Sequence, residues 1–442
     1  MNLGTPQSVR KLQRALYAKA KANPTYRFYT LYDKIYRNDV LKEAWSRCRA
    51  NDGSSGVDGQ SFEGIESKGV ERWLEQLAQE LRTKTYRPQA VRRVYIPKAD
   101  GKKRPLGIPT IKDRVAQMAA VIVLEAIFEA DLTEEQYAYR PKRSAHDAVR
   151  KVHELLNRGY TEVVDADLKG YFDTIPHHEL MKSVARRVTD AAVLKLVKAW
   201  LEMAVEETDE RGNKRRTTAN KESGKGTPQG APVSPLLANL YMRRFLLGWK
   251  QQGWEQKLRA HIVNYADDFV ILCRQKAAEA QAQMARMMEK LKLEVNQQKT
   301  RICHVPEESF DFLGYTLGRC YRVKTGQAYI GTKPSKKRIL KFCESISQKT
   351  REQTCGRDTE ELVGELNLML KGWANYFRLG SVSKAYESVD SHVRNRLRQW
   401  LRRKHKIRVR VEKRFSDTYL YQQLGVIRLT HFQTNLPWAK AK

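Results

Sequence analysis

Tyr265-Ala266-Asp267-Asp268 lies between two apolar runs of β-forming residues, Ile262-Val263 before it and Phe269-Val270-Ile271-Leu272 after it. The pattern predicts a hairpin whose turn lifts two acids to the tip of a buried strand pair. Adjacent carboxylates repel, so folding alone supplies no reason to place them together. A divalent cation supplies one, because Mg²⁺ takes carboxylate oxygens and substrate phosphates in an octahedral shell. For an Asp-Asp pair taken alone a solvated turn is the plainer alternative, and other segments must decide.

The charge balance narrows the field of partners. Lysine plus arginine number 82 against 50 acids, a formal net charge of +32, which favours a polyanion. With 41% hydrophobic residues the 442-residue chain is globular rather than a disordered basic tail, and its length suggests roughly three domains. The six cysteines are scattered, with no C-x-x-C pair and no zinc-finger spacing, so reduced thiols of a cytosolic protein are expected. No run of 18 apolar residues is present, which argues against a membrane span, and the N-terminus lacks the apolar core of a secretion signal. A bacterial cytoplasmic location is expected, although residues 1–32 contain six basic residues and no acid, which leaves an organellar origin open. A basic helix from Ser8 to Ala22 that touches RNA is the preferred reading of that stretch.

The chain runs from α-rich to mixed α/β and back to α. Trp73, Leu74, Leu77 and Leu81 predict a helix over 64–83. Residues 91–97 and 104–109 form a basic hairpin around the Asp100-Gly101 turn, and 113–130 read as an amphipathic helix. A short β-run, 161–165, precedes Asp167. Residues 190–206 predict an apolar helix, 207–225 a hairpin or loop, and 277–293 a helix. Residues 333–352 and 358–404 look mostly helical.

Asp165-Ala166-Asp167 follows that β-run, 100 residues before Asp267. Nucleotidyl transfer by two metal ions needs carboxylates converging from separate strands. Asp167 and Asp267 are the expected pair of metal-binding, catalytic acids, and Asp268 the weaker or supporting ligand. Asp165 and Asp173 read as solvated or helix-capping acids.

Eight segments now stand in order: Gly56-Val57-Asp58-Gly59; Arg104-Pro105-Leu106-Gly107-Ile108-Pro109; Tyr139-Arg140-Pro141-Lys142-Arg143-Ser144-Ala145-His146-Asp147-Ala148; Asp167 to Asp173; Gly226-Thr227-Pro228-Gln229-Gly230-Ala231-Pro232-Val233-Ser234-Pro235; Tyr265 to Asp268; Leu293 to Lys299; and Phe312-Leu313-Gly314-Tyr315. In this the chain resembles the reverse transcriptase/maturase encoded by bacterial group II introns, over about residues 50 to 400. The resemblance implies an α+β right-hand polymerase, with a basic N-terminal extension (1–80), fingers and palm (81–322), an α-helical thumb or maturase domain (323–405) and a short basic tail (406–442). It implies RNA-directed DNA synthesis with two Mg²⁺ ions and dNTP substrates, on an RNA template with a DNA primer. It further implies binding of the group II intron RNA to assist splicing and retromobility, and contact with target DNA.

The same resemblance carries over site residues. Lys98 and Arg104 would clamp the incoming triphosphate, Arg through a bidentate fork. Phe172 would wall the 2′ side of the sugar, Gln229 would hydrogen-bond near the template–nucleotide pair, and Lys299 would protonate departing pyrophosphate or contact phosphate. Arg140, Lys142 and Arg143 would run along the template, whereas His146 and Asp147 read as structural. Gly314 and Tyr315 would form the primer grip.

Lys371-Gly372-Trp373-Ala374-Asn375-Tyr376-Phe377 resembles the maturase segment, with its aromatics read as helix core. From Arg394 to Arg414, 11 of 21 residues are Lys or Arg, with one acid, Glu412, and with Trp400 inside the run. A one-sign run of that density favours phosphate contact over a solvated face, through Arg394, Arg398, Arg402, Arg403, Lys404, Lys406, Arg408 and Arg410. There is no H-N-H constellation or cysteine pair after residue 405, so an endonuclease domain is not expected. Two other readings stay open: a splicing-only RNA-binding protein, and a reverse transcriptase recruited to host defence or repair without an intron.

Overall fold

The longest apolar stretches of the chain become helices with little solvent-facing surface. The computed structural model describes residues 5–97, 103–209, 211–322, 324–408 and 411–432. It has two compact units, one made of residues 1–144, 166–271 and 278–301, the other of 145–165, 272–277 and 302–442. Among the described residues eleven strands run in chain order: β1 Val91–Pro97, β2 Lys103–Ile108, β3 Glu162–Ala166, β4 Val205–Thr208, β5 Lys214–Thr217, β6 Ala260–Tyr265, β7 Asp268–Cys273, β8 Arg301–His304, β9 Phe310–Phe312, β10 Tyr315–Tyr321 and β11 Ala328–Pro334. They form three sheets, ordered β2-β1-β4-β5, β6-β7-β3-β8 and β11-β10-β9. The architecture is a mixed α+β one.

In the first unit the helix Ile111–Phe128 is central. Val115, Ala116, Ala119, Ile122, Val123 and Ile127 are fully buried, together with neighbours on every side. The amphipathic helix expected over 113–130 is therefore corrected to an all-round buried one, which is why it shows no polar stripe. Its start is fixed chemically. Thr110 Oγ1 accepts the Asp113 N–H, an N-cap that satisfies one of the first orphan amides. The buried Asp113 carboxylate accepts the Tyr86 hydroxyl at 2.6 Å and the Gln89 N–H at 3.1 Å; burial pushes its pKa upward against those bonds. The helices Gln7–Ala22 and Asn38–Asn51 pack on Ile111–Phe128. Gln7–Ala22 buries Val9, Leu16 and Ala20 and leaves Lys11, Arg14 and Lys19 exposed, so the basic N-terminal helix has an apolar seam and a cationic face.

The basic hairpin pairs antiparallel, with Val94 opposite Leu106. It is extended by β4, which runs parallel to β1 from Val91↔Val205. The expected apolar helix over 190–206 ends at Leu201 and yields to this strand. Behind the acidic segments lies an 18-residue helix, Ser234–Gln251, with Leu237, Tyr241, Phe245 and Trp249 buried along it.

In the second unit the helix Ala145–Asn157 packs on β11, and His153 Nδ1 lies 3.0 Å from Thr332 Oγ1. Three further helices, Lys336–Lys349, Thr359–Tyr376 and Ser383–Lys404, meet through aromatic contacts such as Phe342 stacked on Trp373 at 5.1 Å and 11°. Trp400 is fully buried and donates to Thr354 Oγ1, which corrects its expected place beside phosphate. Asp390 accepts the Leu429 and Thr430 N–H groups and ties the last described segment to the helix Ser383–Lys404.

One cation closes the N-terminal turn of the first unit. The Arg187 side chain is 1% exposed and stands 3.2 Å from Asp131. It donates to the carbonyls of Ala20, Asn23, Pro24 and Tyr26 at 2.5–3.1 Å. Its removal takes the donor from four carbonyls and one of two cationic partners from Asp131, which keeps Arg186 at 2.9 Å. We predict that Arg187→Met lowers unfolding free energy by about 3–5 kcal/mol, measured by urea denaturation followed through tryptophan fluorescence; a loss below ~1 kcal/mol would contradict the keystone role.

Candidate active site

The acidic turn is a two-residue hairpin loop. β6 ends at Tyr265, β7 begins at Asp268, and Ala266 takes φ 59°. Glycine is the usual residue for a positive φ at the first loop position; alanine there costs about 1–2 kcal/mol. The strain is held by the residues beneath. Asn264, 1% exposed, donates through Nδ2 to the Ala266 carbonyl at 2.8 Å. Its own backbone bonds Glu135 O and the Tyr137 N–H. Gln136, beside it, donates to Asn239 O at 2.8 Å, and Asn239 donates to Ala138 O at 2.7 Å. A buried amide network thus ties the loop to the helix Ser234–Gln251. Asp267 is half-buried and Asp268 is exposed.

Asp167 follows β3, whose sheet neighbour is β7. Its backbone is fixed on both sides: the N–H donates to Thr300 Oγ1, and its carbonyl accepts the Asn296 N–H. Its carboxylate, 38% exposed, accepts Asn296 Nδ2 at 2.9 Å and has Lys299 Nζ at 3.7 Å. The next residues turn through Gly170, φ 52°, into the short helix Tyr171–Thr174. Tyr171 is fully buried and donates to Ala238 O. Burial pushes its phenol pKa far up, and the charges of Tyr241 and Asp267 add to the shift.

The loop 227–230 is bonded to the Phe172 segment and to β2. The Thr227 N–H donates to Phe172 O at 2.6 Å, and Gln229 O accepts the Gly107 N–H at 2.7 Å. Gln229 Nε2 donates to Asp173 Oδ2 at 2.9 Å. Asp173 therefore orients Gln229, a task beyond the solvated or capping role expected of it. Gly230 has φ 109°, and a Cβ there would come within 2.8 Å of Gly107 O, so the approach of loop to strand requires glycine. Phe172 is half-buried beside this loop, edge-on to Tyr171 at 5.7 Å.

Other expected contacts divide. Lys98 lies outside the described residues, as does the side chain of Arg104, whose backbone pairs with Ile96. Arg140 is corrected to a strut: 6% exposed, it grips Glu129 and the carbonyls of Thr133 and Gln136, which leaves little of its fork for a template. Lys142 is exposed; Arg143 is half-buried, bonds Glu134 O and lies over the Tyr137 ring. His146 Nε2 lies 2.6 Å from Tyr376 O. Gly314 has φ 85° and lies against Arg338 and Phe377. Tyr315 is fully buried, with its hydroxyl given to Tyr376 O, so its ring is core rather than a primer contact.

The cationic run divides in the same way. Arg398 binds Phe415 O and Asp417, Arg394 lies 3.7 Å from Asp417, and Lys404 binds Cys355 O and Arg357 O. Arg402, Arg403, Lys406 and Arg408 are exposed; Arg410 lies outside the described residues.

Sequence reasoning passed over Asn264, Gln136, Asn239, Asn296 and Thr300. One signal was available: Asn264 is a lone amide inside an apolar strand, where a polar side chain needs a built partner.

The donor set suits a hard divalent cation, since Asp167, Asp267 and Asp268 offer carboxylate oxygens. Mg²⁺ binds through one or two carboxylates plus substrate phosphates and needs no ready cage; among the described residues no group of three His, Cys, Asp or Glu side chains forms one. Nor is any described helix long and apolar enough to cross a membrane.

Comparison with known proteins agrees with this chemistry. The family model for reverse transcriptase (RNA-dependent DNA polymerase) matches residues 96–317, and that for the group II intron maturase-specific domain matches 339–416. Protein YkfC of Escherichia coli is 32% identical over 377 residues, 77% of this chain and 96% of that protein. Group II intron-encoded protein LtrA of Lactococcus lactis is 28% identical over 354 residues, and the match spans 66% of this chain and 57% of LtrA. With both domain matches, the chain belongs to the group II intron-encoded reverse transcriptase/maturase family, RNA-directed DNA polymerases that also bind intron RNA.

Proposed function

We propose that Asp167 and Asp267 are the metal-binding acids of RNA-templated DNA synthesis, that Asp268 supports them, and that residues 1–80, 81–322, 323–405 and 406–442 act as extension, fingers and palm, thumb, and tail of a right-hand polymerase. The observation that carries this reading is the strand order: β3, which Asp167 follows, lies beside β7, which Asp268 opens, in one sheet. When bound, Mg²⁺ supplies a more acidic primer 3′-OH and neutralises charge on the leaving pyrophosphate. The chain does the positioning. Asn296 and Thr300 hold Asp167 in place. Lys299, 62% exposed and 3.7 Å from Asp167, places an ammonium group where a proton or a positive charge can meet departing phosphate. The Asp173–Gln229 bond presents the amide on the template side, and Phe172 stands as the sugar wall. Lys98 and Arg104 complete the reading as the triphosphate clamp. The maturase-specific match over 339–416 supports a second role, binding the chain's own intron RNA through exposed cations while the RNA carries out the splicing chemistry.

We predict that Asp267→Asn lowers cDNA synthesis on an RNA template about 1000-fold, ~4 kcal/mol in barrier, while the Kd for RNA stays within about twofold of the parent; synthesis at parental rates would remove the metal assignment. Phe172→Ala should reduce discrimination against ribonucleotides about 100-fold in kcat/KM, and an unchanged preference for dNTPs would refute the wall. For the tail, replacing Arg403, Lys406 and Arg408 together with Gln should flatten the slope of log K against log salt for single-stranded RNA by about 2. An unaltered slope would place those cations away from phosphate.

A further inference from the structure

The sheet residue beneath the acidic loop is not one of the acids, yet the geometry sets it to govern them. Asn264 is buried, and its Nδ2 spans two residues to hold the Ala266 carbonyl at 2.8 Å. Ala266 is the residue with φ 59°, a conformation an L-residue adopts only under constraint. The direction in which Asp267 leaves the loop depends on that φ. The anchor is itself immobile: Asn264 is pinned by Glu135 O and the Tyr137 N–H, and the adjoining Gln136 and Asn239 are fully or almost fully buried. The Asn264 Oδ1 is buried without a hydrogen-bond partner. A position that served packing alone has no need of a half-satisfied amide, since an apolar residue of similar volume avoids the cost of burying that oxygen.

We propose that Asn264 is a positioning residue for metal binding: its single N–H···O bond holds the strained loop in the one conformation that aims the Asp267 carboxylate at the cation. This rests on the assignment of Asp267 made above. Two substitutions separate the bond from the volume. Asn264→Ala removes the side chain, whereas Asn264→Leu keeps its volume and cannot donate to the Ala266 carbonyl.

The test is Mn²⁺ binding to the full-length protein with RNA template and a chain-terminated DNA primer, read by electron paramagnetic resonance without turnover, with thermal unfolding and RNA affinity measured alongside. Both folded variants should bind Mn²⁺ at least about fivefold more weakly than the parent, with RNA affinity unchanged, and should need correspondingly more Mg²⁺ for half-maximal synthesis. Parental Mn²⁺ affinity in either folded variant overturns the proposal, and so does failure of both variants to fold, which would make Asn264 a structural residue. Asp267→Asn is the control: if it also binds Mn²⁺ like the parent, the metal assignment fails, whereas if only the Asn264 variants do, this inference alone fails.

Discussion

Repulsion between adjacent carboxylates at the tip of an apolar hairpin is the constraint around which the first unit is organised. Ala266, held at a positive φ, and Asp267 form the two-residue loop and Asp268 opens β7, so charge and backbone strain coincide within three residues. Such a loop persists only where its surroundings over-determine it. The surroundings here are a sheet with a fully buried Phe269-Val270-Ile271-Leu272 floor, the helix Ser234–Gln251 and an amide network that joins them. Asp167 receives similar treatment through Asn296 and Thr300. Rigid elements and second partners hold acids that would otherwise turn apart.

The 227–230 loop follows the same logic with backbone rather than acids. Gly230 permits the 227–230 loop to touch β2, and the Phe172 carbonyl takes the Thr227 N–H. Three sequence-distant segments, near Gly107, Phe172 and Gln229, are locked together by main-chain bonds. Their side chains are thereby aimed without relying on long-range packing. Asp173, adjacent to Phe172, then sets the Gln229 amide, so one short helix both presents the Phe172 ring and orients Gln229.

Much of this was legible in the sequence because the informative segments are local. The acidic hairpin, the basic hairpin and the strand before Asp167 are each encoded within a dozen residues by alternation, turn chemistry and charge. The helix Ser234–Gln251 was hidden because it begins with Pro235 and is buried on most sides, which leaves no polar stripe to read. Strands β8 and β9 are only four and three residues long, and β11 runs on to Pro334, into a stretch that reads as continuous with the following helix. Arg140 and Tyr315 read as nucleic-acid contacts from their segments, yet their partners, Glu129 and Tyr376, are fixed by tertiary packing. The same holds for Arg398, whose partner Asp417 lies 19 residues on. Charge density in a sequence shows that a polyanion is near; only the fold shows which cations are spent internally.

The account stands on the convergence of Asp167 and Asp267 on one divalent cation. Anomalous diffraction from Mn²⁺ in crystals of the full chain with RNA template, DNA primer and a non-reactive dNTP analogue tests this most directly. The account predicts a metal peak coordinated by oxygens of both carboxylates and by the nucleotide phosphates, at the distances of roughly 2.0–2.2 Å that hard cations of this size take. A metal held by the phosphates and other side chains, with Asp167 or Asp267 turned away, would contradict it.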